Sequence, residues 1–165
     1  MPYSIRLFEH GDAVALADLT LAAIKCVGAA RYSPEQVAAW ASRHPGPDRF
    51  KGRAEEGAMI WVAVAENTPV AYCLLEPPSD GAAHLDMLYC DPAHTRKGLA
   101  PALLEKAEHY AREQKVARLF TEASELARPA FAKAGYIQMQ RRDFTIPLDG
   151  KDVPIHNYAM EKRLS

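Results

Sequence analysis

Cysteine is scarce, and what there is lies far apart: Cys26, Cys73 and Cys90. An odd count without a CxxC pair excludes a disulfide framework or a cysteine zinc knuckle. Reduced core thiols in a cytoplasmic protein are the expectation. Excess charge is missing too, since 20 basic and 21 acidic residues leave a net −1. No global field draws this chain to nucleic acid or an anionic membrane, so any basic function must be local. The basic group Lys133, Arg141 and Arg142 lacks interleaved aromatics and gives no nucleic-acid footprint. No run approaches the roughly 20 apolar residues of a membrane helix. Met1 is followed by Pro2, Tyr3 and Ser4, not by the positive segment of a signal peptide. The six histidines form no HxxxH, and no HxH near a cysteine, so no metal site is expected. Two familiar phosphate loops, GxGxxG and GxxxxGK followed by Ser or Thr, are absent.

What is present suits one domain over 1–165: hydrophobic residues make up 48%, and no repeat or linker divides the chain. SIRLF at 4–8 reads as a strand. Asp12 is placed to cap a helix to about Cys26, with Val14, Leu19 and Ile24 on its apolar side. YSPEQVAAW carries a capping box, with Ser33 at the cap, Pro34 at the first position and Gln36 three on. His44-Pro45-Gly46-Pro47 ends that region. Strands follow at 59–66 and 69–76, joined by an Asn67-Thr68 turn, then at 82–90. Leu99 to Glu113 is helical, 117–124 a strand, and 127–134 a short helix stopped by Gly135. Two strands close the chain. The order β-α-α-β-β-β-α-β-α-β-β predicts an α/β (α+β) fold, a mixed and mainly antiparallel sheet with helices on both faces.

The stretch CDPAHTRKGLAPALLEK, 90–106, is the densest in signal. A strand-like run breaks at Asp91-Pro92, passes through Thr95-Arg96-Lys97-Gly98, and becomes an amphipathic helix. A helix start offers unpaired N–H groups and a partial positive charge, which together bind anions. Gly98 lets a ligand approach the backbone. His94, Arg96 and Lys97 add local positive charge. A solvated basic turn would read the same way.

From Leu88 to Ala100, LYCDPAHTRKGLA resembles motif A of the GNAT superfamily of acetyl-CoA-dependent acetyltransferases, with Thr95 to Ala100 in place of Q/R-x-x-G-x-G/A. SELARPAFAKAGY, 124–136, resembles the family's next signature. YSPEQVAAWA and 86–104 are similar to small bacterial YafP-like members. The resemblance covers nearly the whole chain and implies a GNAT fold of six to seven strands, an acetyl-CoA cosubstrate, an amine acceptor and a homodimer. It implies that the backbone of Leu88 and Cys90 pairs with the pantetheine arm. Amides of Arg96, Lys97, Gly98, Leu99 and Ala100 would hold the pyrophosphate, next to Thr95. Ser124 would meet the pantetheine, and Phe131 would lie near the thioester sulfur. Many members carry at or beside that position a tyrosine that protonates the leaving thiolate; Phe131 cannot do so.

Acyl transfer to an amine of pKa near 10 needs a group or water chain to take a proton. The oxyanion needs a donor, for which a strand N–H around Tyr89 is the candidate. His84 and Asp86 alternate with Leu85 and Met87 and should share a face with Leu88. A turn near Asp80 should set Glu76 opposite His84, and Leu74 opposite Asp86. A carboxylate midway along an apolar strand is costly unless paired or wet. Asp86 is therefore the first candidate for the base, or for orienting the amine, and His84 the second. A surface cross-strand pair explains Glu76 and His84 equally. Tyr32, expected to be exposed, joins Trp40 and Glu76 as acceptor-side residues, and a core position explains Trp40 as well. His156 and Tyr158 share a face of the last strand, where either could reach the acceptor or simply sit at a solvated sheet end, and Tyr158 is the candidate for the missing acid. Cys90 reads as packing rather than as a nucleophile.

Overall fold

In the computed structural model, which describes residues 3–44 and 46–164, seven strands form one sheet. They are β1 (Tyr3–Leu7), β2 (Met59–Ala65), β3 (Thr68–Leu75), β4 (Ala82–Cys90), β5 (Arg118–Ala123), β6 (Ile137–Leu148) and β7 (Lys151–Arg163). Their order in space is β1-β2-β3-β4-β5-β7-β6. Only the β4–β5 pair is parallel. The helices are α1 (Ala13–Val27), α2 (Pro34–Ala41), α3 (Asp48–Glu55), α4 (Leu99–Glu113) and α5 (Arg128–Lys133).

Helices cover both faces, as the pattern of apolar residues requires. On one face Leu103 of α4 and Phe131 of α5 pack with Trp61, Leu85, Leu119 and Met160. On the other, Leu16 of α1 and Phe50 of α3 pack with Val62, Tyr72, Leu74 and Met87. Val37 of α2 joins Ile146, Val153 and Ile155 at the far end of that face. Each such side chain contributes about 1.5–3 kcal/mol by leaving water. The capping box of α2 is formed: Ser33 Oγ accepts from the Gln36 amide at 3.1 Å, and Gln36 Oε1 accepts from the Ser33 amide at 2.9 Å. Gln36 Nε2 also donates to the Pro154 carbonyl at 2.9 Å, which ties α2 to β7.

Several expectations are corrected. The β2–β3 turn sits one residue earlier, at Glu66 and Asn67, both at positive φ (50° and 66°), as a two-residue hairpin turn demands. Asp12 does not cap α1 with its side chain; it accepts from the Glu9 amide at 2.8 Å and pairs with Arg6 at 2.8 Å. Val14 is 61% exposed, whereas Leu19 and Ile24 are buried. Cys26 is exposed rather than in the core. Among the described residues, one helical run, His10–Ala30, does have the length and composition to cross a membrane, yet almost half of it is buried within this fold. Finally, α3 was not anticipated. Its sequence DRFKGRAE buries only Phe50, too little to give an apolar period. The Pro45 expected to help end the preceding region, and Met1 and Pro2 at the start, lie outside the described residues.

Candidate active site

The sheet opens at its centre. β4 and β5 pair only from Ala82 to His84 against Arg118 to Phe120. The Thr121 hydroxyl donates to the Leu85 carbonyl at 2.7 Å, and beyond that point the two strands have no ladder between them. On its other side β4 stays paired with β3 as far as Cys90, but with a bulge. Leu75 faces Leu85, while Leu74 faces Met87, so Asp86 is the extra residue. This corrects the expected pairing of Leu74 with Asp86. It also reverses the face of everything after Asp86. Ala83, Leu85, Leu88 and Cys90 lie toward α4, whereas Met87 and Tyr89 lie toward α1 and α2. His84 therefore does not share a face with Leu88.

The ladder's phase shows where the free amides of β4 point. The Asp91 amide donates to Val70 O at 2.8 Å. Antiparallel pairs alternate between bonded and non-bonded, so the Tyr89 amide is also turned toward β3. The amides of Leu88 and Cys90 point into the opening instead. The free amides on this strand are thus those of Leu88 and Cys90, and that of Tyr89 is not among them.

At the end of that opening lies the start of α4. Gly98 takes a left-handed conformation, φ +78°, at its N-cap, and Arg96 is left-handed at +61°. Thr95, Arg96, Lys97 and Gly98 are exposed. Among the described residues, no hydrogen bond is donated by the amides of Arg96 or Gly98. No heavy atom lies within 4 Å of a Cβ built on Gly98. Leu99 is buried against the core and Ala100 lines the neighbouring cavity, so both hold the turn in place. The corner has the open amides an anion requires.

Two cavities meet in the opening. One, of about 150 Å³, is bounded by Ala71, Cys90, Thr95, Ala100, Leu103 and Ala130. The other, of about 110 Å³, is bounded by Tyr32, Asp86, Glu122, Phe131, Phe144 and His156. Trp40, Leu88, Tyr89, Ser124 and Ala127 are walls of both. Ser124 also anchors α5, its Oγ accepting from the Ala127 amide at 3.1 Å.

Charge is concentrated beside the second cavity. His84 lies 2.6 Å from Glu76 through Nδ1 and 2.7 Å from Glu122 through Nε2, and stacks on Phe120 at 4.8 Å. Burial disfavours its cation, but hydrogen bonds to Glu122 and Glu76 outweigh that and raise its pKa to about 9. Asp86 accepts from Arg53 of α3 at 2.9 Å, with Arg49 at 3.9 Å. Glu76, His84 and Asp86 offer three ligand atoms within 4.8 Å of one another, yet Arg53 already bonds both carboxylates. His44 touches this group through Tyr89 and Arg49. Burial, then the Arg49 charge, lower it to about 4 against the pull of Asp86.

Tyr32 is buried, at 6% exposure, not exposed as expected. Its hydroxyl donates to the His156 carbonyl and accepts from the Glu125 amide, both at 3.0 Å. The Tyr158 hydroxyl donates to Glu125 at 2.8 Å under the Arg128 guanidinium, and Tyr158 is not a wall of either cavity. That commits the proton expected to serve the thiolate. Cys90 Sγ lies 3.4 Å from the His94 carbonyl, and burial, then Asp91, push the thiol up to about 11.

A family model for the acetyltransferase (GNAT) domain matches residues 28–145. The chain belongs to the GNAT acetyltransferase family. As such it is an enzyme of the N-acetyltransferase class. It is 31% identical over 142 residues to the uncharacterized N-acetyltransferase YafP of Escherichia coli (strain K12), covering 83% of this chain and 84% of that protein. Among solved structures, a GCN5-related N-acetyltransferase from Rhodopseudomonas palustris superposes with a TM-score of 0.85 at 30% identity, over 99% of this chain and 97% of the other. A PaiA N-acetyltransferase from Thermoplasma acidophilum, in complex with coenzyme A, shares the fold with a TM-score of 0.79 at 20% identity, over 99% of both chains.

Within this GNAT fold the sequence reading missed Arg49, Arg53, Glu122 and Glu125. The two arginines went with the missed helix α3. Glu122 alternates with buried Thr121 and Ala123 along β5, and that alternation was a usable signal.

Proposed function

We propose that this enzyme transfers the acetyl group of acetyl-CoA to a small amine by direct attack on the thioester. The observation that carries this reading is the opening between β4 and β5, continuous with the free amides before α4. It suits an elongated donor that is anionic at one end and amide-bearing along its arm. Arg96, Lys97, Gly98, Leu99 and Ala100 would hold the diphosphate, with Thr95 at the rim. The Leu88 and Cys90 backbone would pair with the arm, and one of their amides would take up charge from the carbonyl oxygen. Ser124 and Phe131 would bound the thioester end.

The acceptor would enter the second cavity, whose walls include the packed rings of Tyr32 and Trp40. The ring walls there favour a slim acceptor with an apolar body. Of the two roles open to Asp86, orienting the amine is the better supported, since Arg53 holds one of its oxygens. His84 carries its proton at neutral pH and serves Glu76 and Glu122 as their shared cation. With Cys90 held as a thiol, the amine itself is the nucleophile. The N–C bond forms, the C–S bond breaks, and CoA leaves as a thiolate. We place this activity in the cytoplasm, where the three free cysteines stay reduced.

The test is thiol release from acetyl-CoA across an amine panel, with thermal shift on CoA alone. Release with at least one amine is expected. CoA stabilisation without release from any amine would leave a binding module, and no shift at all would remove the donor site. Asp86→Asn should lower kcat and leave CoA binding intact; a wild-type rate would take Asp86 out of the mechanism.

A further inference from the structure

The ammonium form of the acceptor must lose a proton, and the cavity walls differ in their readiness to take it. Five side chains there carry titratable polar atoms: Tyr32, Asp86, Tyr89, Glu122 and His156. The two phenols are occupied, Tyr32 with Glu125 and His156 backbone, Tyr89 with His44 at 3.3 Å. The two carboxylates each sit against a cation, Asp86 on Arg53 and Glu122 on His84. His156 alone sits against an anion. Its Nε2 lies 2.7 Å from Glu125 Oε2. Its Nδ1 has no protein partner among the described residues, and no partly or fully buried side chain there has a sealed N or O atom left unpartnered. Nδ1 is therefore not sealed, and the ring, 15% exposed, belongs to a residue that lines the cavity.

We infer, given the amine acetylation proposed above, that His156 is the catalytic base that takes the acceptor's proton at Nδ1, with Glu125 as its positioning carboxylate. Glu125 is fixed from three elements. Arg128 at the start of α5 donates to Oε1 at 3.0 Å, and Tyr158 on β7 donates to Oε2 at 2.8 Å. Its own amide donates to Tyr32, just before α2. The hydrogen bond from His156 and then that from Tyr158 hold its carboxyl below the usual range, against burial. An ionised Glu125 leaves the shared proton on Nε2, so the neutral ring presents its lone pair at Nδ1. The other groups around the ring are Tyr158 and Tyr32, with Asp143 its register partner on β6. Arg128 shares Glu125 with His156, bonding its other oxygen.

In the reaction, one N–H proton of the ammonium moves to Nδ1, and the imidazolium is stabilised by Glu125. The freed amine attacks the thioester carbon and the C–S bond breaks. The proton on His156 passes to water. The amide nitrogen sheds its second proton, which the thiolate takes up. One proton is released per turnover.

The experiment compares wild type, His156→Gln, Glu125→Gln and Asp86→Asn by thiol release, with alkylamines and with hydroxylamine as a weakly basic probe. With alkylamines, His156→Gln should lose about 10²-fold or more in kcat, the size general-base catalysis supplies. Its acetyl-CoA KM should stay unchanged, and its pH profile should lose the low-pH limb. With hydroxylamine, which arrives largely neutral, most of that deficit should vanish. Glu125→Gln should keep the limb but shift it. Nitrogen-15 NMR of the histidines tests the arrangement without any acceptor: His156 should be the Nε2–H tautomer in wild type and lose that preference in Glu125→Gln. A wild-type rate in His156→Gln, a limb lost only in Asp86→Asn, or a neutral ring protonated at Nδ1 would each overturn the assignment. Absence of thiol release from wild type with every amine would instead sink the proposed function, with the NMR result still deciding the His156 arrangement.

Discussion

Replacing His84 by Gln should abolish a pH-dependent share of the stability. The imidazole bridges Glu76 on the β3 side to Glu122 on β5, at 2.6 and 2.7 Å. Burial opposes its charge, and the bonds to Glu122 and Glu76 more than offset that, lifting it from 6.5 to about 9. At about 1.36 kcal/mol per tenfold change in proton affinity, the ceiling is about 3 kcal/mol. Glu76 is 38% exposed, so water screens its part, and about 2 kcal/mol is the expected contribution. The folded value lies above the unfolded one. The contribution is therefore complete below pH 6.5 and is lost as pH climbs through about 9. Urea unfolding of wild type and His84→Gln at pH 6, 8 and 10 isolates it, because all other titrations cancel in the difference. Wild type should lose about 2 kcal/mol relative to the variant across that range, or roughly 4–8 °C in Tm at this chain length. Parallel stability curves would show that the two carboxylates do not hold an imidazolium.

Three further outcomes follow from geometry. Gly98→Ala places a side chain at φ +78° with nothing within 4 Å of its Cβ, so the apo fold should lose only about 1 kcal/mol. Calorimetry should nonetheless show CoA binding weakened by more than that strain accounts for; an unchanged Kd would move the diphosphate elsewhere. A thiol reagent should label exposed Cys26 quickly and partly buried Cys90, raised to about 11, slowly, while Cys73, which burial raises to about 12, reacts only on unfolding. Cys90→Ala should keep most of the transferase rate, and a trapped acyl-enzyme at Cys90 would contradict direct transfer. Thr121→Val removes the bond to the Leu85 carbonyl and should cost about 1–3 kcal/mol, measured by denaturation, because the acceptor is left buried and unpaired.

Much of this architecture was legible because local signals agreed with one another. The Ser33-Gln36 box obeys a cap rule, and the run Leu99 to Glu113 and the alternation in β5 each obey one period. The tight turn before α4 was legible from Gly98, which is left-handed there. The site was not legible where one residue breaks a period. Asp86 is extra in its strand, and from there on parity fails, so the face assigned to His84 came out wrong. Nor was it legible where charges meet across long stretches of chain. Arg53 reaches Asp86 from 33 residues away, and Glu125 meets His156 from 31. Spacing on one strand carries no trace of such partners.

The amides of Leu88 and Cys90, left facing a gap, make this an unfinished sheet that its own donor would complete. A molecule bridging β4 and β5 acts as a splint, and at a hundred times its Kd it adds about 2.7 kcal/mol. Robustness of the enzyme would then follow metabolic supply. Starved of acetyl-CoA, the protein should exchange those two amides rapidly and yield sooner to proteases; well supplied, it should outlast the same challenge.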